Sequence, residues 1–297
     1  MKFVLAGASG FLGTAWRDHL AREGHEVVRL VRGEPMTDTE SHWDPYRGEV
    51  DAEVVEQADV VACLSGATLA HWPWTESYKR TFTESRLATT RTLAEAVAAA
   101  PSPPVLLAQN GIAGYGDRGD TLLTEDAATD ADTFMGRVTR EWAAATEPAV
   151  RAGARVVVMR SGVVLDRRGS VLKPLVPLFK AGLGGPIGPG DQYFSTISLT
   201  DWLRAATLLA TDDRFSGPVN ISAPNASTNA EFSRELGSAL HRPSLLRVPS
   251  FPVRAALRAV STELLNSTRV EPARLLDAGF AFEHPTLAER IRSGLSG

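Results

Sequence analysis

Residues 2–13 read Lys2-Phe3-Val4-Leu5-Ala6-Gly7-Ala8-Ser9-Gly10-Phe11-Leu12-Gly13, and they determine the fold of this 297-residue chain. A short apolar run leads into three glycines spaced three apart, and a helical pattern follows. In a strand–turn–helix unit, the first glycine permits a tight turn, the second lets the backbone approach a pyrophosphate, and the third allows close strand–helix packing. The helix N-terminus adds unpaired N–H groups and the positive end of its dipole. The stretch therefore predicts a dinucleotide site at Gly7, Ser9, Gly10, Phe11, Leu12 and Gly13.

The end of the next strand selects between the two nicotinamide dinucleotides. Residues 26–31 form an apolar run about 20 residues after the loop, where an NAD-binding fold usually carries an acid for the ribose 2′-OH. This chain has Arg32 there instead. A guanidinium suits a 2′-phosphate, which it can grip through two hydrogen bonds. The sequence thus favours NADP, with Arg29 as a weaker second contact. The alternative is that Arg32 is only a solvated charge at a strand end.

Strand-like runs alternate with helical patterns along the chain. The strands are predicted at 2–6, 26–31, 58–64, 104–109, 155–159 and 218–222. The helices are predicted at 10–23, 76–100, 132–152, 200–211, 228–240, 252–260 and 286–294. This alternation predicts an α/β fold with a doubly wound parallel sheet of the Rossmann type. We expect residues 1–165 to form the dinucleotide-binding domain, with 200–225 returning to it, and 166–199 with 226–297 to form a smaller C-terminal substrate-side part.

Composition narrows the possible functions. The net charge of −4 gives no electrostatic case for nucleic-acid binding. The one cysteine, Cys63, lies in an apolar run, so neither a disulfide framework nor a cysteine-based metal site is predicted. The chain begins with a core strand and contains no apolar stretch of membrane-spanning length. We therefore expect a cytoplasmic protein that acts on a small molecule without a metal.

Several motifs in order resemble the extended, epimerase-like branch of the short-chain dehydrogenase/reductase superfamily, and more closely its atypical nucleoside-diphosphate-sugar epimerase-like family. Beyond the glycine loop, they are Leu64-Ser65-Gly66-Ala67, Trp74-Thr75-Glu76, Ser85-Arg86, Gly114-Tyr115-Gly116-Asp117-Arg118-Gly119, Arg160-Ser161-Gly162-Val163-Val164-Leu165, Gly182-Leu183-Gly184-Gly185-Pro186, Ser216-Gly217-Pro218-Val219-Asn220 and Glu271-Pro272-Ala273-Arg274-Leu275-Leu276. The resemblance covers nearly the whole chain. It implies that Leu64, Ser65, Gly66 and Arg86 also contact the cofactor.

The resemblance also shows what this chain lacks. Typical members of the superfamily use a Tyr-x-x-x-Lys pair for acid–base chemistry, with a Ser or Thr that orients the substrate carbonyl. The matching positions here are Phe134 and Val138, neither of which can exchange a proton, and Asn110 replaces the hydroxyl. Asn110 occupies the position of the hydroxyl residue and is, with Tyr115, a candidate catalytic residue.

Two tyrosines are candidates for the missing acid. Tyr115 follows the strand at 104–109, and open α/β sheets bind ligands at the carboxyl ends of their strands. Tyr193 follows the glycine-rich segment 181–190, which is either a pocket wall or a structural turn. Tyr115 is the preferred catalytic candidate.

Two functions are compatible with these features. One is an NADP(H)-dependent oxidoreductase or epimerase that acts on a small carbonyl or sugar-like substrate. The other is a non-catalytic NADP-binding sensor or scaffold. An open polar pocket beside the nicotinamide end would favour the first, and a pocket sealed by Phe134 and its neighbours would favour the second.

Overall fold

The computed structural model describes residues 1–169, 171–257 and 261–296. Its strands in chain order are β1 (Lys2–Ala6), β2 (Glu26–Val31), β3 (Glu40–Asp44), β4 (Glu49–Val50), β5 (Val60–Cys63), β6 (Val105–Gly111), β7 (Leu122–Leu123), β8 (Val156–Ser161), β9 (Val163–Leu165), β10 (Tyr193–Phe194), β11 (Thr196–Ser198), β12 (Gly217–Ile221), β13 (Ser227–Thr228) and β14 (Arg269–Val270). Its helices are α1 (Phe11–Arg22), α2 (Ala52–Glu56), α3 (Glu76–Ala99), α4 (Phe134–Ala144), α5 (Glu147–Arg151), α6 (Leu172–Lys180), α7 (Leu199–Thr211), α8 (Asn229–Ala239), α9 (Ser250–Leu257), α10 (Thr262–Leu265), α11 (Ala273–Asp277) and α12 (Leu287–Ser296).

Eight strands of the described residues make one sheet in the order β12-β8-β6-β5-β1-β2-β3-β4. Every pairing in it is parallel except that of β3 with β4. The strand order reverses at β1, which lies between β5 and β2, so the crossovers run to opposite sides. This topology confirms the predicted doubly wound Rossmann fold.

The sheet has an apolar core on each face, as a parallel sheet covered by helices requires. On one face, Trp16 of α1 and Trp202 of α7 pack edge to face, with ring centroids 6.1 Å apart. On the other, Leu93 and Val97 of α3 pack against strand residues such as Val61. Apolar side chains cover both faces, which leaves the ends of the strands for ligands.

The predicted helix over 132–152 is two helices, α4 and α5. Pro148 lies in the first turn of α5 and has no N–H to donate back to the preceding turn. Thr146 lies between the two helices and donates its hydroxyl to the carbonyl oxygen of Ala143 at 2.8 Å. The break follows from these two residues, and the helical periodicity alone concealed it.

A third apolar cluster ties the C-terminal segments to the sheet. Phe179 of α6, Phe232 of α8 and Ile291 of α12 belong to it. Beside it, the buried Arg290 donates from Nε to Thr196 Oγ1 at 3.0 Å and from Nη1 to the carbonyl oxygen of Pro285 at 2.7 Å. The division of the chain into two parts at the predicted boundaries stays a prediction.

No helix in the described part of the chain is long and apolar enough to cross a membrane.

Candidate functional site

The glycine loop between β1 and α1 is shaped by its first and third glycines. Gly7 has φ +85°, and a Cβ there would lie 2.7 Å from the carbonyl carbon of Leu64. A Cβ on Gly13 would clash with the carbonyl oxygen of Gly7. That same oxygen accepts a hydrogen bond from the Gly10 N–H at 3.0 Å. Gly7 and Gly13 are therefore needed by the protein's own packing.

Gly10 differs from the other two glycines. A Cβ there would meet only the Gly7 carbonyl oxygen, at 3.3 Å, and nothing else within contact distance. Gly10 is also the N-cap of α1, so no side chain caps the helix, and the first turn carries no acidic residue. The space beside Gly10 and the uncapped N–H groups fit a phosphate group. The loop thus suits the pyrophosphate of a dinucleotide.

The two arginines near the end of β2 differ in whether they already have a partner. Arg29 forms an ion pair with Glu40, with Nη2 and Oε1 2.7 Å apart. Arg32 is exposed and has no hydrogen-bond or ion-pair partner among the described residues. Arg32 is therefore the arginine at this strand end that can take a phosphate, and Arg29 is already engaged.

A cavity of about 610 Å³ opens at the carboxyl ends of the central strands. Phe11 and Leu12 line it at the start of α1, so it is continuous with the glycine loop. The ends of β6 and β8 and the residues that follow β5, β6 and β8 line it as well, through 64–66, 109–113 and 161–164. This is the position where open α/β sheets bind ligands. We call this cavity, with its lining residues, the cleft.

The wall of the cleft beside α3 carries a buried arginine. Arg86 donates from Nη1 to the carbonyl oxygens of Ala67 at 3.0 Å and Phe82 at 3.1 Å. Its guanidinium carbon lies 3.4 Å from the centroid of the Phe82 ring. Its neighbour Ser85 accepts from the Ala67 N–H at 2.9 Å, so both residues fix the loop that follows β5.

Arg86 has no carboxylate partner among the described residues, and burial lowers its pKa to about 10. The guanidinium remains cationic at neutral pH, beside Leu64, Ser65 and Gly66, which also line the cleft. A buried cation without a counter-ion is costly unless a ligand supplies the anion. This arrangement fits the predicted cofactor contact.

Asn110 lies at the end of β6 and lines the cleft. Its amide Nδ2 donates to the carbonyl oxygen of Thr139 at 3.0 Å, and its Oδ1 accepts from the Gly111 N–H at 2.7 Å. The side chain therefore links the sheet to α4. Its role in orienting a substrate stays a prediction.

The positions of the missing Tyr-x-x-x-Lys pair are apolar in space as well as in sequence. Val138 is buried and lines the cleft. Phe134 packs beside Trp74 and Phe82, with ring centroids 6.2 and 6.4 Å away. Phe134 does not line the cleft, so it does not seal it. The cleft is open, although most of its lining is apolar.

The structure argues against Tyr115 as the proton donor. Its side chain is fully buried among Leu123, Val270 and their neighbours, and it is not part of the cleft lining. The hydroxyl donates to Asn220 Oδ1 at 2.8 Å and accepts from Arg160 Nη1 at 2.8 Å. Burial also raises the pKa of the phenol. Tyr115 therefore ties the end of β6 to β8 and β12.

The second candidate tyrosine and the glycine-rich segment lie outside the cleft lining as well. Tyr193 pairs with Thr228 between β10 and β13, under the guanidinium of Arg269. Within residues 181–190, Gly188 donates to the carbonyl oxygen of Val248 at 2.8 Å. A Cβ on Gly185 would clash with the backbone of Leu246. Of the two predicted roles for 181–190, the structure supports the structural turn.

The sequence analysis missed an ionisable residue in the cleft. Glu263 of α10 lines it and is partly buried, without a hydrogen-bond or ion-pair partner in the described parts of the chain. Desolvation raises its pKa to about 7. No local motif marks Glu263, because α10 is short and reaches the cleft only through long-range packing.

The comparisons with known proteins agree with this geometry. Residues 3–135 match the NAD dependent epimerase/dehydratase family, and residues 248–293 match a domain of unknown function, DUF1731. Epimerase family protein Mb2239 of Mycobacterium bovis is 38% identical over 97% of this chain and 95% of that protein. The chain belongs to the epimerase family. This confirms the resemblance to atypical extended short-chain dehydrogenases/reductases.

Two solved structures extend the likeness. The crystal structure of human epimerase family protein SDR39U1 (isoform 2) with NADPH superposes with a TM-score of 0.91 at 31% identity, over 100% of both chains. The nucleoside-diphosphate sugar epimerase of Corynebacterium glutamicum superposes with a TM-score of 0.82 at 32% identity. That match covers 99% of this chain and 58% of the Corynebacterium one.

Proposed function

We propose that this epimerase-family protein binds NADP(H) and acts as an oxidoreductase on a small carbonyl compound. The observation that carries the proposal is the open cleft that runs from the glycine loop to the carboxyl ends of β6 and β8. When bound, a nicotinamide cofactor would supply hydride chemistry at such a place. The human relative crystallised with NADPH supports the choice of cofactor.

Different residues of this chain would bind different parts of the cofactor. Gly10 and the N–H groups of α1 would hold the pyrophosphate, and Arg32 the 2′-phosphate. Residues 64–66, with Arg86 behind them, would form the wall of the cleft beside the cofactor. Asn110 would face the substrate at the end of β6.

The cleft favours a carbonyl compound with an apolar body over a nucleotide sugar. A sugar diphosphate needs cationic or N–H partners, and the cationic side chains of the described lining are Arg86 and, when protonated, His71. Arg86 lies on the cofactor side, and His71 is exposed and stacks on Tyr78 with ring centroids 3.6 Å apart. Trp74, Trp142 and Phe194 supply apolar surface instead.

A second candidate is a non-catalytic NADP(H)-binding protein. The apolar Phe134 and Val138 favour it, because they cannot serve as the usual acid–base pair. The same site also leaves room for an epimerase that oxidises and reduces one sugar carbon in turn.

One set of measurements separates these three candidates. Fluorescence titration of the wild type with NADPH and NADH tests the cofactor. NADPH oxidation with aliphatic and aromatic ketones and aldehydes tests the reductase, and incubation with UDP-glucose tests the epimerase. We expect tight NADPH binding and turnover on apolar carbonyls. NADPH binding with no turnover on any probe would overturn the enzyme proposal in favour of the binding protein.

A further inference from the structure

Residues 262–268 form a wall of the cleft that is fixed to the segment of β10 and β11. Ser195 Oγ, between β10 and β11, donates to the carbonyl oxygen of Thr268 at 2.6 Å and accepts from the Val270 N–H at 3.0 Å. Gln192 Nε2 donates to the carbonyl oxygen of Leu264 at 3.3 Å. The backbone that follows Glu263 is therefore held by residues 192–195, and Phe194 and Ser195 of this segment also line the cleft.

Glu263 is the acid that this wall presents. Its carboxyl group has no partner within the described ranges, and the surrounding atoms desolvate it. An ionised carboxylate is costly in such surroundings, which favours the protonated form. The other titratable side chains that line the cleft are Arg86 and His71, and neither contributes to the shift in the Glu263 pKa. Glu263 can thus exchange a proton near neutral pH.

The other polar groups of the lining are less suited to this task. The Thr139 hydroxyl donates to the carbonyl oxygen of Gly136 at 2.9 Å. Ser161 Oγ accepts from Trp202 Nε1 at 2.9 Å, and the Ser195 hydroxyl holds Thr268. These three are aliphatic hydroxyl groups, which ionise far above neutral pH, so they are weaker proton donors than a carboxyl group.

We propose that Glu263 is the proton donor of the cleft and protonates the carbonyl oxygen of the substrate during reduction. The inference rests on the proposed oxidoreductase function and supplies the acid that Phe134 and Val138 cannot. It also assigns a task to the segment at 248–293, for which the family match gives none.

The proposed step reduces a ketone to an alcohol, and a reduced nicotinamide dinucleotide would supply the hydride. The carbonyl carbon gains a hydride, so a C–H bond forms, and the π pair of the C=O bond moves to oxygen. That oxygen takes the proton of the Glu263 carboxyl group, and an O–H bond forms. The carboxylate left behind takes a proton from water. The ketone is reduced to an alcohol, and the dinucleotide is oxidised.

Glu263→Gln keeps the shape of the side chain and removes the acid, and Glu84→Gln on the exposed surface of α3 is the matched control. The assay is NADPH oxidation with the most active ketone or aldehyde of the panel, as a function of pH. We expect Glu263→Gln to lower kcat about 100-fold or more, within the usual contribution of a positioned acid. NADPH affinity should stay within about twofold. The wild-type rate should fall as Glu263 ionises above its pKa of about 7, and the variant should lose that dependence.

Thermal stability as a function of pH tests the same carboxyl group without measuring turnover. The thermal stabilities of wild type and Glu263→Gln should diverge between about pH 4.5 and 7, where the carboxyl group ionises in the unfolded chain but not in the folded one. Parallel curves across that interval would overturn the inference, as would Glu263→Gln turnover close to that of an active wild type. An inactive wild type that binds NADPH would instead remove the proposed function, and the inference with it.

Discussion

The two sides of the cleft are built in opposite ways. The turn of the glycine loop is closed by its own residues: Gly13 packs on Gly7, and the Gly10 N–H donates to the Gly7 carbonyl oxygen at 3.0 Å. Gly7 also packs against Leu64 and Ser65 at the end of the neighbouring strand β5. The wall at 262–268 is held by Ser195 and Gln192, about 70 residues away in the chain. The turn that would hold the pyrophosphate is therefore set mainly by local structure, and the substrate side is a product of long-range packing.

The largest effect should come from Gly10, because a side chain there would occupy the space that the pyrophosphate needs. Gly10→Val should still fold, because its Cβ would meet only the Gly7 carbonyl oxygen, and a small shift of the loop relieves that tight 3.3 Å contact. It should weaken NADPH binding about 100-fold or more, equivalent to about 2.7 kcal/mol. Fluorescence titration and a melting curve measure both properties.

Gly13→Ala should affect folding as well as binding, in contrast to Gly10→Val. Its Cβ would clash with the backbone of Gly7, so stability should fall together with binding. If Gly10→Val also unfolded the protein, the distinction between packing glycines and a phosphate glycine would be lost. If Gly10→Val bound NADPH normally, the phosphates would lie elsewhere.

The next largest effect should come from Arg32, the proposed contact of the cofactor's 2′-phosphate. Arg32→Ala should weaken NADPH binding by about 1.5–3 kcal/mol, the cost of losing a hydrogen bond to a charged group. NADH affinity should not change, because NADH lacks the 2′-phosphate. Arg29→Ala is the matched control, since Arg29 is already paired with Glu40 at 2.7 Å. Equal losses in both variants would show that the arginines act only through general charge.

The sequence predicted the main sheet because its signals are local. The predicted strands at 26–31 and 218–222 lie within one residue of β2 and β12. The prediction missed β3, whose alternating Glu40-Ser41-His42-Trp43-Asp44 buries only Ser41 and Trp43. Burial alternates along β3, but Trp43 is its one apolar residue, so the residue types show no apolar alternation that would predict a strand.

The substrate side could not be predicted in the same way. Tyr115 follows a strand end, as a catalytic residue would, yet its hydroxyl is taken up by Asn220 and Arg160. Glu263 follows no strand of the main sheet and belongs to no motif, yet it lines the cleft. Proximity in sequence to a strand end does not say which way a side chain points, and only the packed structure decides it.

A smaller effect concerns the stability of the wall at 262–268. The pKa of Glu263 is raised from 4.5 to about 7, so the folded protein binds more protons than the unfolded chain in that interval. The contribution of Glu263 to the free energy of unfolding should therefore be greatest below about pH 4.5 and be lost as the pH rises to about 7. Glu263→Gln should remove the loss.

The gain from Glu263→Gln above pH 7 should be about 1–2 kcal/mol, less than the full shift implies, because solvent in the cleft screens the charge. Chemical denaturation at several pH values measures it, with Glu84→Gln as the control. A variant no more stable than wild type at high pH would place Glu263 in contact with bulk water and would weaken the contrast between the two sides.

The smallest effect on function should come from Tyr115. Tyr115→Phe removes the hydroxyl that joins Asn220 and Arg160 but leaves the ring in its apolar surroundings. Arg160 Nη1 keeps its bond to the carbonyl oxygen of Glu125 at 3.1 Å, and Asn220 Nδ2 keeps its bond to the carbonyl oxygen of Glu271 at 2.9 Å. Stability should fall by about 1 kcal/mol, the net value of an ordinary hydrogen bond. NADPH affinity and turnover should stay unchanged, because the hydroxyl does not reach the cleft. A large loss of turnover with normal stability would return Tyr115 to the catalytic site, and would mean that the cleft rearranges around β6 when ligands bind.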